Sequence, residues 1–257
     1  MTITRRTLVV VPCYNEERRF SPESFVDAVR AEPELGFLFV DDGSRDNTLE
    51  MLKETAQRAP GQLHVLPLEK NSGKAEAVRR GVLHAFELGP ELIGYWDADL
   101  ATPLAYVEKF AAEFDNPAIA LVIGSRIRLL GRRVERSPVR HYIGRGIATL
   151  AGLALSVPIY DTQCGAKLFK ASPVFRDVFS RPFELNWCFD IEIFARLQGF
   201  AESGRFDVTR ECVEFPLGQW VDAPGSKITP KHFPSILKEL GSLFWIAHKE
   251  RRGGGGT

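Results

Sequence analysis

The sequence predicts an α/β protein built on a single, mainly parallel sheet with helices on both faces. Short apolar or β-branched runs alternate with amphipathic helical patterns through the first half of the chain. Clusters rich in aspartate, asparagine and glycine follow four of these runs. Such alternation is typical of βαβ units, in which helices cover both faces of the sheet.

Five strands are predicted from the apolar runs, at 8–11, 37–40, 63–66, 93–96 and 121–123. Helices are predicted at 24–30, at 49–56 after a loop of helix-capping residues, and at 74–88 after Gly73. The second half contains a glycine-punctuated apolar stretch at 141–157 and an amphipathic helix at 235–250. We interpret this half as an extension of the same sheet.

Composition limits the class of protein. The 257 residues are 44% hydrophobic and 26% charged, which is typical of a soluble globular protein with a sizeable core. The 33 basic and 33 acidic residues cancel, so net charge favours no nucleic-acid partner. Four widely spaced cysteines without a CxxC pair favour free thiols and a cytoplasmic protein. No run reaches the roughly 18 apolar residues of a membrane span.

Four polar clusters come directly after predicted strands. They are PCYNEE at 12–17, DDGSRDNT at 41–48, DADLATP at 97–103 and GSR at 124–126. Ligands of parallel sheets bind beyond the carboxyl ends of the strands, so we expect the clusters to converge on one rim. Each cluster alone also fits an ordinary loop, and 46–48 fits a helix N-cap.

Asp97 and Asp99 are separated only by Ala98 at the end of the fourth strand. Alternate side chains of an extended strand point the same way, so both carboxylates are expected to face one pocket. Two close carboxylates repel unless a cation or a shared proton relieves them. Mg²⁺ or Mn²⁺ carrying a diphosphate would do so, because such ions prefer oxygen ligands. A pair of solvated loop aspartates is the alternative.

A cationic segment follows. Between residues 126 and 145 a single acid, Glu135, accompanies Arg126, Arg128, Arg132, Arg133, Arg136, Arg140 and Arg145. Such a run is commonly a solvated loop. Its place between the two aspartates and an apolar stretch favours an anionic ligand or an anionic membrane surface. The stretch 141–157 is either an interfacial helix or a buried core helix.

Seven blocks in order resemble those of the family-2 glycosyltransferases. They are VVVPCYNEE, FLFVDDGSRDNT, NSGKAEAVRRGV, YWDADLATP, VIGSR, DTQCGAKLF and FDIEIFARL, which span most of the chain. Within that family, DTQCG followed by KLF, and a late element at 224–227, resemble the dolichyl- and polyprenyl-phosphate β-glucosyltransferases. The resemblance implies a GT-A fold, a nucleotide-sugar donor and inverting transfer.

The resemblance also implies roles for individual residues. The nucleotide-sugar site would contain Pro12, Tyr14, Glu16, Asp42, Lys74, Asp97, Ala98, Asp99, Arg126, Gln163 and Lys227. The metal, Mg²⁺ or Mn²⁺, would be bound by Asp97 and Asp99. Asp161, Asp190 and Arg126 would be catalytic, with Glu192 close to the donor sugar and acceptor. Acceptor phosphate would be bound by Arg128, Arg132, Arg133, Arg140, Ser226 and Lys227.

The resemblance has two departures. Mannosyl-type relatives often place glutamine two residues after the second aspartate, where this chain has Ala101, and this favours UDP-glucose over GDP-mannose. Relatives often carry membrane helices or an N-terminal anchor, and none is visible in this sequence. We therefore expect peripheral contact at the cytoplasmic face of a membrane.

These observations lead to one main hypothesis: metal-dependent transfer of glucose from UDP-glucose to a polyprenyl phosphate. The alternatives are a soluble or glycan hydroxyl acceptor, which would need Asp190 or Asp161 as a base, and a catalytically silent nucleotide-binding protein. We predict a single domain over 1–250, with a nucleotide-sugar half at 1–126, an acceptor half at 127–250 and a flexible tail at 251–257.

Overall fold

The computed structural model describes the backbone of residues 2–135, 138–201, 203–221 and 233–253, and their side chains except at 138–143, 233–237 and 253. These residues form, in chain order, β1 (Thr7–Cys13), α1 (Pro22–Ala31), β2 (Leu35–Asp41), α2 (Thr48–Gln57), β3 (Leu63–Pro67), α3 (Lys74–Leu88), β4 (Leu92–Trp96), α4 (Ala105–Glu113) and β5 (Leu121–Ser125). The chain continues with β6 (Arg133–Glu135), α5 (Pro138–Leu155), β7 (Ala166–Lys170), α6 (Pro173–Ser180), α7 (Phe189–Gly199), α8 (Val208–Glu211), β8 (Cys212–Pro216), β9 (Gln219–Val221) and α9 (Phe233–Gly253).

The chain divides into two compact units. Unit 1 consists of Met1–Pro117 and Gly165–Pro182, and unit 2 consists of Ala118–Cys164 and Phe183–Thr257. Residues 165–182 thus return to the unit formed by the first part of the chain. The predicted functional division into halves at residue 126 stays a prediction.

Unit 1 contains five strands in the order β3-β2-β1-β4-β7. The first three pairings are parallel, and β7 runs antiparallel to β4 with Ala166 opposite Trp96. All seven residues of β2 are buried, as expected for a strand covered on both faces. The five predicted strands and three predicted helices are confirmed within one or two residues, whereas β7 was not predicted.

Close packing of α3 on the sheet depends on a glycine. A Cβ atom on Gly81 would overlap the side chains of Val10 in β1 and Val40 in β2. The absence of this atom lets the helix lie directly on the strands. Aromatic side chains form the contact between α1 and β2. Phe25 of α1 packs edge-on against Phe37 and Phe39 of β2, with ring-centroid distances of 5.0 Å.

Unit 2 has two parallel strand pairs, β5 with β8 and β6 with β9. Helix α7 is almost entirely buried, and α5 buries Ala151 and Leu155 while exposing Leu153. Helix α9 extends to Gly253, so residues 251–253 of the predicted tail are helical, and residues 254–257 lie outside the described residues. No helix among the described residues is both long and apolar enough to cross a bilayer.

Candidate active site

The two aspartates lie in a tight turn after β4, and not on the strand itself. Trp96 ends the strand, and the Leu100 N–H donates to the Asp97 carbonyl at 3.2 Å. Leu100 has φ 52°, the left-handed region that non-glycine residues seldom adopt. The predicted strand alternation of Asp97 and Asp99 is therefore wrong. The turn is nevertheless tight enough for the two carboxylates to influence each other electrostatically.

The Asp97 side chain is fixed on two sides. The Lys74 ammonium, in the first residue of α3, pairs with its carboxylate at 2.5 Å. Gly165, just before β7, accepts a hydrogen bond from the Asp97 N–H at 3.0 Å. A Cβ atom on Gly165 would overlap the Asp97 carboxylate, so glycine is required by this close approach. Gly165 belongs to the DTQCG motif, but no role was predicted for it from the sequence.

Asp99 is suited to binding a cation. Burial, followed by the negative charge of Asp97, raises the pKa of the Asp99 carboxyl above its ordinary value. Both effects disfavour a bare carboxylate, and a bound divalent cation would relieve both. Among the residues that the structure describes, no group of three His, Cys, Asp or Glu side chains could hold a metal. Two carboxylates match the protein ligands that Mg²⁺ commonly takes, with substrate phosphates and water completing its shell.

Asp42 holds the start of α3. Its two carboxylate oxygens accept hydrogen bonds from the Ser72 and Gly73 N–H groups at 2.8 and 2.9 Å. Burial raises the pKa of Asp42, and these two hydrogen bonds oppose the shift. Because Lys74 follows directly, Asp42 also positions the residue that pairs with Asp97. Its predicted contact with a nucleotide base stays a prediction.

The loops after β1 and β2 are tied together. The Asn15 side-chain oxygen accepts from the Arg45 N–H at 2.9 Å, and the Glu16 N–H donates to the Thr48 hydroxyl at 2.8 Å. Asp46 accepts from the N–H of Thr48, the first residue of α2, whereas Asn47, the N-cap residue, makes no side-chain capping bond. Pro12 and Tyr14 are half-buried beside these contacts.

Glu16 itself is buried and forms a bidentate pair with Arg19, with distances of 2.9 and 2.7 Å. The structure thus assigns Glu16 a partner within its own loop. Ala98 is buried between the two aspartates. The predicted nucleoside contacts of Pro12, Tyr14 and Glu16 stay predictions.

In unit 2, Arg126 and Asp161 form a bidentate ion pair. The Nε and Nη2 atoms of Arg126 lie 2.7 Å from the two Asp161 oxygens, and the Arg126 N–H donates at 3.0 Å. The side chains are only 11% and 9% exposed, and the guanidinium lies over the Trp220 ring at 5.4 Å. These two predicted catalytic residues are therefore brought together, each as the other's partner.

Glu214 of β8 holds the segment that carries Asp161. Its two oxygens accept from the Tyr160 and Asp161 N–H groups at 2.7 and 2.8 Å. Arg145 stacks on the Tyr160 ring at 3.7 Å and donates to the Tyr160 carbonyl. Glu214 was not predicted from the sequence, although an acid inside an apolar strand pattern is a signal of a buried role.

The remaining predicted residues of unit 2 lie around the start of α7. Gln163 donates to the Trp187 carbonyl at 3.4 Å, and Asp190 is a buried residue of the first turn of α7. Glu239 of α9 accepts from the Trp187 and Cys188 N–H groups at 3.0 Å each. Burial, with the Glu239 charge next, raises the pKa of Cys188 to about 12, so the thiol stays protonated at neutral pH.

Glu192 is not placed to face a substrate. Its side chain is fully buried and paired with Arg196 at 2.6 Å. One of its oxygens also accepts from the Glu184 and Leu185 N–H groups. The expectation that Glu192 lies near the donor sugar and acceptor is therefore wrong, because its carboxylate binds Arg196 and backbone N–H groups in the interior of unit 2.

The predicted acceptor arginines are only partly described. Arg128, Arg132 and Arg133 are exposed, and Arg133 pairs with Glu135 at 2.7 Å. The side chain of Arg140 lies outside the described residues, as do Ser226 and Lys227. Phosphate binding by this set stays a prediction.

Comparison with known families decides the identity of the chain. The model of "Glycosyl transferase family 2" matches residues 8–175, which include the aspartate turn, Arg126 and Asp161. The chain belongs to glycosyl transferase family 2. The sequence resemblance is thereby confirmed.

Curated relatives of this family 2 glycosyltransferase share one name. A dolichyl-phosphate beta-glucosyltransferase of Trichomonas vaginalis is 35% identical over 81% of this chain and 63% of its own length. The Homo sapiens dolichyl-phosphate beta-glucosyltransferase is 31% identical over 88% of this chain and 71% of its own length. The chain thus spans less than two thirds of the first relative.

A solved structure supports the fold. Glucosyl-3-phosphoglycerate synthase from Mycobacterium tuberculosis, crystallised with Mn²⁺, UDP-glucose and phosphoglyceric acid, matches with a TM-score of 0.64. It is 16% identical and the match covers 95% of this chain and 80% of that one. The predicted GT-A fold of this family 2 glycosyltransferase is confirmed.

Proposed function

We propose that this glycosyltransferase moves glucose from UDP-glucose to a dolichyl or other polyprenyl phosphate, with inversion at the anomeric carbon. The glucose and the acceptor are those in the name of the similar dolichyl-phosphate beta-glucosyltransferases, and UDP-glucose is the nucleotide sugar bound in the Mycobacterium tuberculosis structure. The observation on which the proposal chiefly rests is the Asp97–Asp99 turn. There the half-buried Asp99 carboxylate, with a raised pKa, lies next to a second carboxylate, and a divalent cation would relieve their repulsion.

The metal in this proposal is Mg²⁺ or Mn²⁺, held by Asp97 and Asp99. When bound, such an ion would neutralise negative charge on the diphosphate leaving group. Lys74 is paired with Asp97 and adds a positive charge near Asp99. Pro12, Tyr14, Glu16 and Asp42 are assigned to the nucleoside on the strength of the family motif alone.

Transfer to a phosphate acceptor requires little acid–base catalysis from the protein. The acceptor oxygen, already anionic at neutral pH, would form a bond to C1 of glucose. The bond from C1 to the diphosphate oxygen would break, and UDP would leave with the electron pair. No general base is needed for this step, so positioning and charge neutralisation are the enzyme's tasks.

Arg126 and Asp161 are assigned to positioning in this scheme. Asp161 binds Arg126 through both carboxylate oxygens, which fixes the orientation of the guanidinium. Guanidinium groups bind phosphate oxygens well in proteins, and a bidentate pair of this kind fixes the plane of the group. Asp190 and Gln163 are retained as candidates for contact with the sugar or acceptor, and Asp190 as the base if the acceptor is a hydroxyl.

A lipid acceptor requires the enzyme to act at a membrane surface. We propose peripheral contact with the cytoplasmic face of a membrane. The exposed arginines Arg128 and Arg132 suit anionic headgroups or the acceptor phosphate.

A transfer assay tests the proposal. Radiolabelled UDP-glucose, GDP-mannose and UDP-GlcNAc are each incubated with Mn²⁺ and polyprenyl phosphate in detergent, and label is counted in the organic phase. We expect label from UDP-glucose only, with its loss in Asp99→Asn and its retention in the exposed control Asp27→Asn. Label that reaches only a soluble acceptor such as 3-phosphoglycerate would overturn the lipid assignment.

A further inference from the structure

One carboxylate oxygen of Glu239, in α9, accepts hydrogen bonds from two successive backbone N–H groups. These groups belong to Trp187 and Cys188, and both distances are 3.0 Å. Cys188 is the N-cap residue of α7, and its own side chain makes no capping hydrogen bond. In a capping box the N–H of the N-cap residue is bound by an acid of the helix's own first turn. Here the acid comes from another helix, so α9 fixes the start of α7.

The two helices run side by side in the same direction. Gly199 ends α7, and a Cβ atom on it would overlap the Glu250 carbonyl of α9. At the other end of α7, Cys188 is bound by Glu239. The two contacts are 11 residues apart in each helix, which corresponds to about three helical turns. Helix α9 therefore lies parallel to α7, and close packing at both ends holds Glu239 beside the start of α7.

The segment that Glu239 holds is linked to two residues predicted to contact the substrates. Asp190 lies two residues after Cys188, in the first turn of α7, and is buried. The Gln163 side chain donates to the Trp187 carbonyl at 3.4 Å. A displacement of residues 187–188 would therefore move Asp190 and disturb the contact with Gln163.

A second contact between α9 and the same segment offers a comparison. The Lys249 ammonium pairs with the Glu184 carboxylate at 2.5 Å, and these side chains are 43% and 39% exposed. Exposed ion pairs of this kind contribute little. Glu239 is half-buried and binds the backbone itself, so its removal would leave two N–H groups without their acceptor. Of these two contacts, the one made by Glu239 is therefore expected to fix the segment.

We propose that Glu239 is a positioning residue for sugar transfer. Through its carboxylate, α9 fixes the peptide groups at 187–188 and thereby the positions of Asp190 and Gln163. The inference rests on the proposed function, which retains those two residues as candidates for contact with the sugar or acceptor. It adds α9 to the elements on which transfer depends.

Steady-state kinetics of glucose transfer to polyprenyl phosphate in detergent give the first test. Glu239→Ala should lower kcat on the order of ten- to a hundredfold, because the segment before Asp190 is no longer fixed. The KM for UDP-glucose should stay within about twofold, since the proposed nucleoside contacts lie in unit 1. Glu239→Gln keeps an acceptor oxygen without the charge, so its kcat should lie between those of the wild type and Glu239→Ala. The matched control Lys249→Gln should have the kcat of the wild type.

Amide hydrogen exchange, measured by mass spectrometry without substrates, gives the second test. The peptide that contains residues 187–190 should exchange faster in Glu239→Ala than in the wild type, because two of its N–H groups lose their acceptor. Strand β8 should exchange as in the wild type, and Lys249→Gln should change neither peptide. Faster exchange throughout unit 2 together with the loss of kcat would overturn the inference, because Glu239 would then only stabilise the unit as a whole.

Transfer by the wild type separates this inference from the proposed function. Wild-type transfer that Glu239→Ala leaves unchanged, or that Lys249→Gln lowers equally, would overturn this inference alone. Absence of any transfer by the wild type would overturn the proposed function and this inference with it. Transfer only to a soluble acceptor would overturn the lipid assignment, and the comparison of Glu239→Ala with Lys249→Gln would then be made on that reaction.

Discussion

Arg126 and Asp161, 35 residues apart in the chain, are joined by two side-chain hydrogen bonds of 2.7 Å each. Their side chains are only 11% and 9% exposed. Breaking such a pair leaves one charge buried without its partner, which costs more than the pair itself contributes. The pair is therefore expected to matter for stability as well as for transfer.

Arg126→Gln should lower the free energy of unfolding by about 3 kcal/mol, because Asp161 keeps a buried charge without its guanidinium. Urea denaturation followed by circular dichroism measures this. The control Arg5→Gln removes a more exposed pair with Asp115 and should cost much less. The double variant Arg126→Gln, Asp161→Asn should recover part of the loss. Equal losses for Arg126→Gln and Arg5→Gln would contradict the buried character of the pair.

Glu214→Gln should lower kcat for glucose transfer on the order of ten- to a hundredfold, because Asp161 loses the carboxylate that fixes its backbone. The KM for UDP-glucose should stay within about twofold, since Glu214 supports the Asp161 segment and not the proposed nucleoside contacts. Steady-state kinetics give both values, and Glu214→Asp should restore part of kcat. Glu211→Gln removes another carboxylate that accepts a backbone N–H, that of Asp207. If it lowered kcat equally, Glu214 would have only a general structural role.

Gly165→Ala should abolish Mn²⁺-dependent binding of UDP-glucose, because the new methyl group would displace the Asp97 carboxylate. Isothermal titration calorimetry measures the affinity. Gly146→Ala is the matched control: no atom lies within 4 Å of its added Cβ, and alanine favours a helix. That variant should bind normally. Normal binding by Gly165→Ala would mean that Asp97 does not need its present position.

Asp99 should make both stability and metal binding depend on pH. Its pKa in the folded protein is raised above the ordinary 3.8 by burial and by Asp97. The folded protein therefore binds more protons than the unfolded chain between 3.8 and the raised value. Stability of the metal-free protein should fall as pH rises through that window. Mn²⁺ affinity should change the opposite way, because the metal requires the ionised carboxylate.

Thermal unfolding with and without Mn²⁺, followed against pH, measures both trends. Asp99→Asn should flatten the pH dependence and remove the stabilisation by Mn²⁺. The control Asp27→Asn, at an exposed position of α1, should leave both unchanged. A pH profile identical in wild type and Asp99→Asn would show that Asp99 does not titrate as described.

Patterns within short segments of the sequence predicted the strands and helices that depend mainly on local interactions. The apolar runs located β1 to β5, and the Asp97–Asp99 spacing located a site where a carboxylate has a raised pKa. The same spacing also suggested that Asp97 and Asp99 lie on a strand. This was wrong, because the hydrogen bonds that form the turn at Leu100 leave no periodic pattern in the sequence. Family motifs singled out Arg126 and Asp161, but nothing local predicts that they pair with each other.

Contacts between residues far apart in the chain were not predicted from the sequence. Glu214 is 53 residues from Asp161, and Gly165 approaches Asp97 only because β7 pairs with β4. Glu192 was assigned to the substrate from the family motif alone, and the motif does not show that its carboxylate is buried and paired with Arg196. Burial is a property of the folded chain.

Calorimetric titration of UDP-glucose, with and without Mn²⁺, most directly tests whether the aspartate turn binds the donor through a metal. The wild type should bind UDP-glucose tightly only with Mn²⁺, and folded Asp99→Asn should lose this Mn²⁺ dependence. Equal binding by the wild type with and without the metal, or unaltered Mn²⁺-dependent binding by Asp99→Asn, would contradict it.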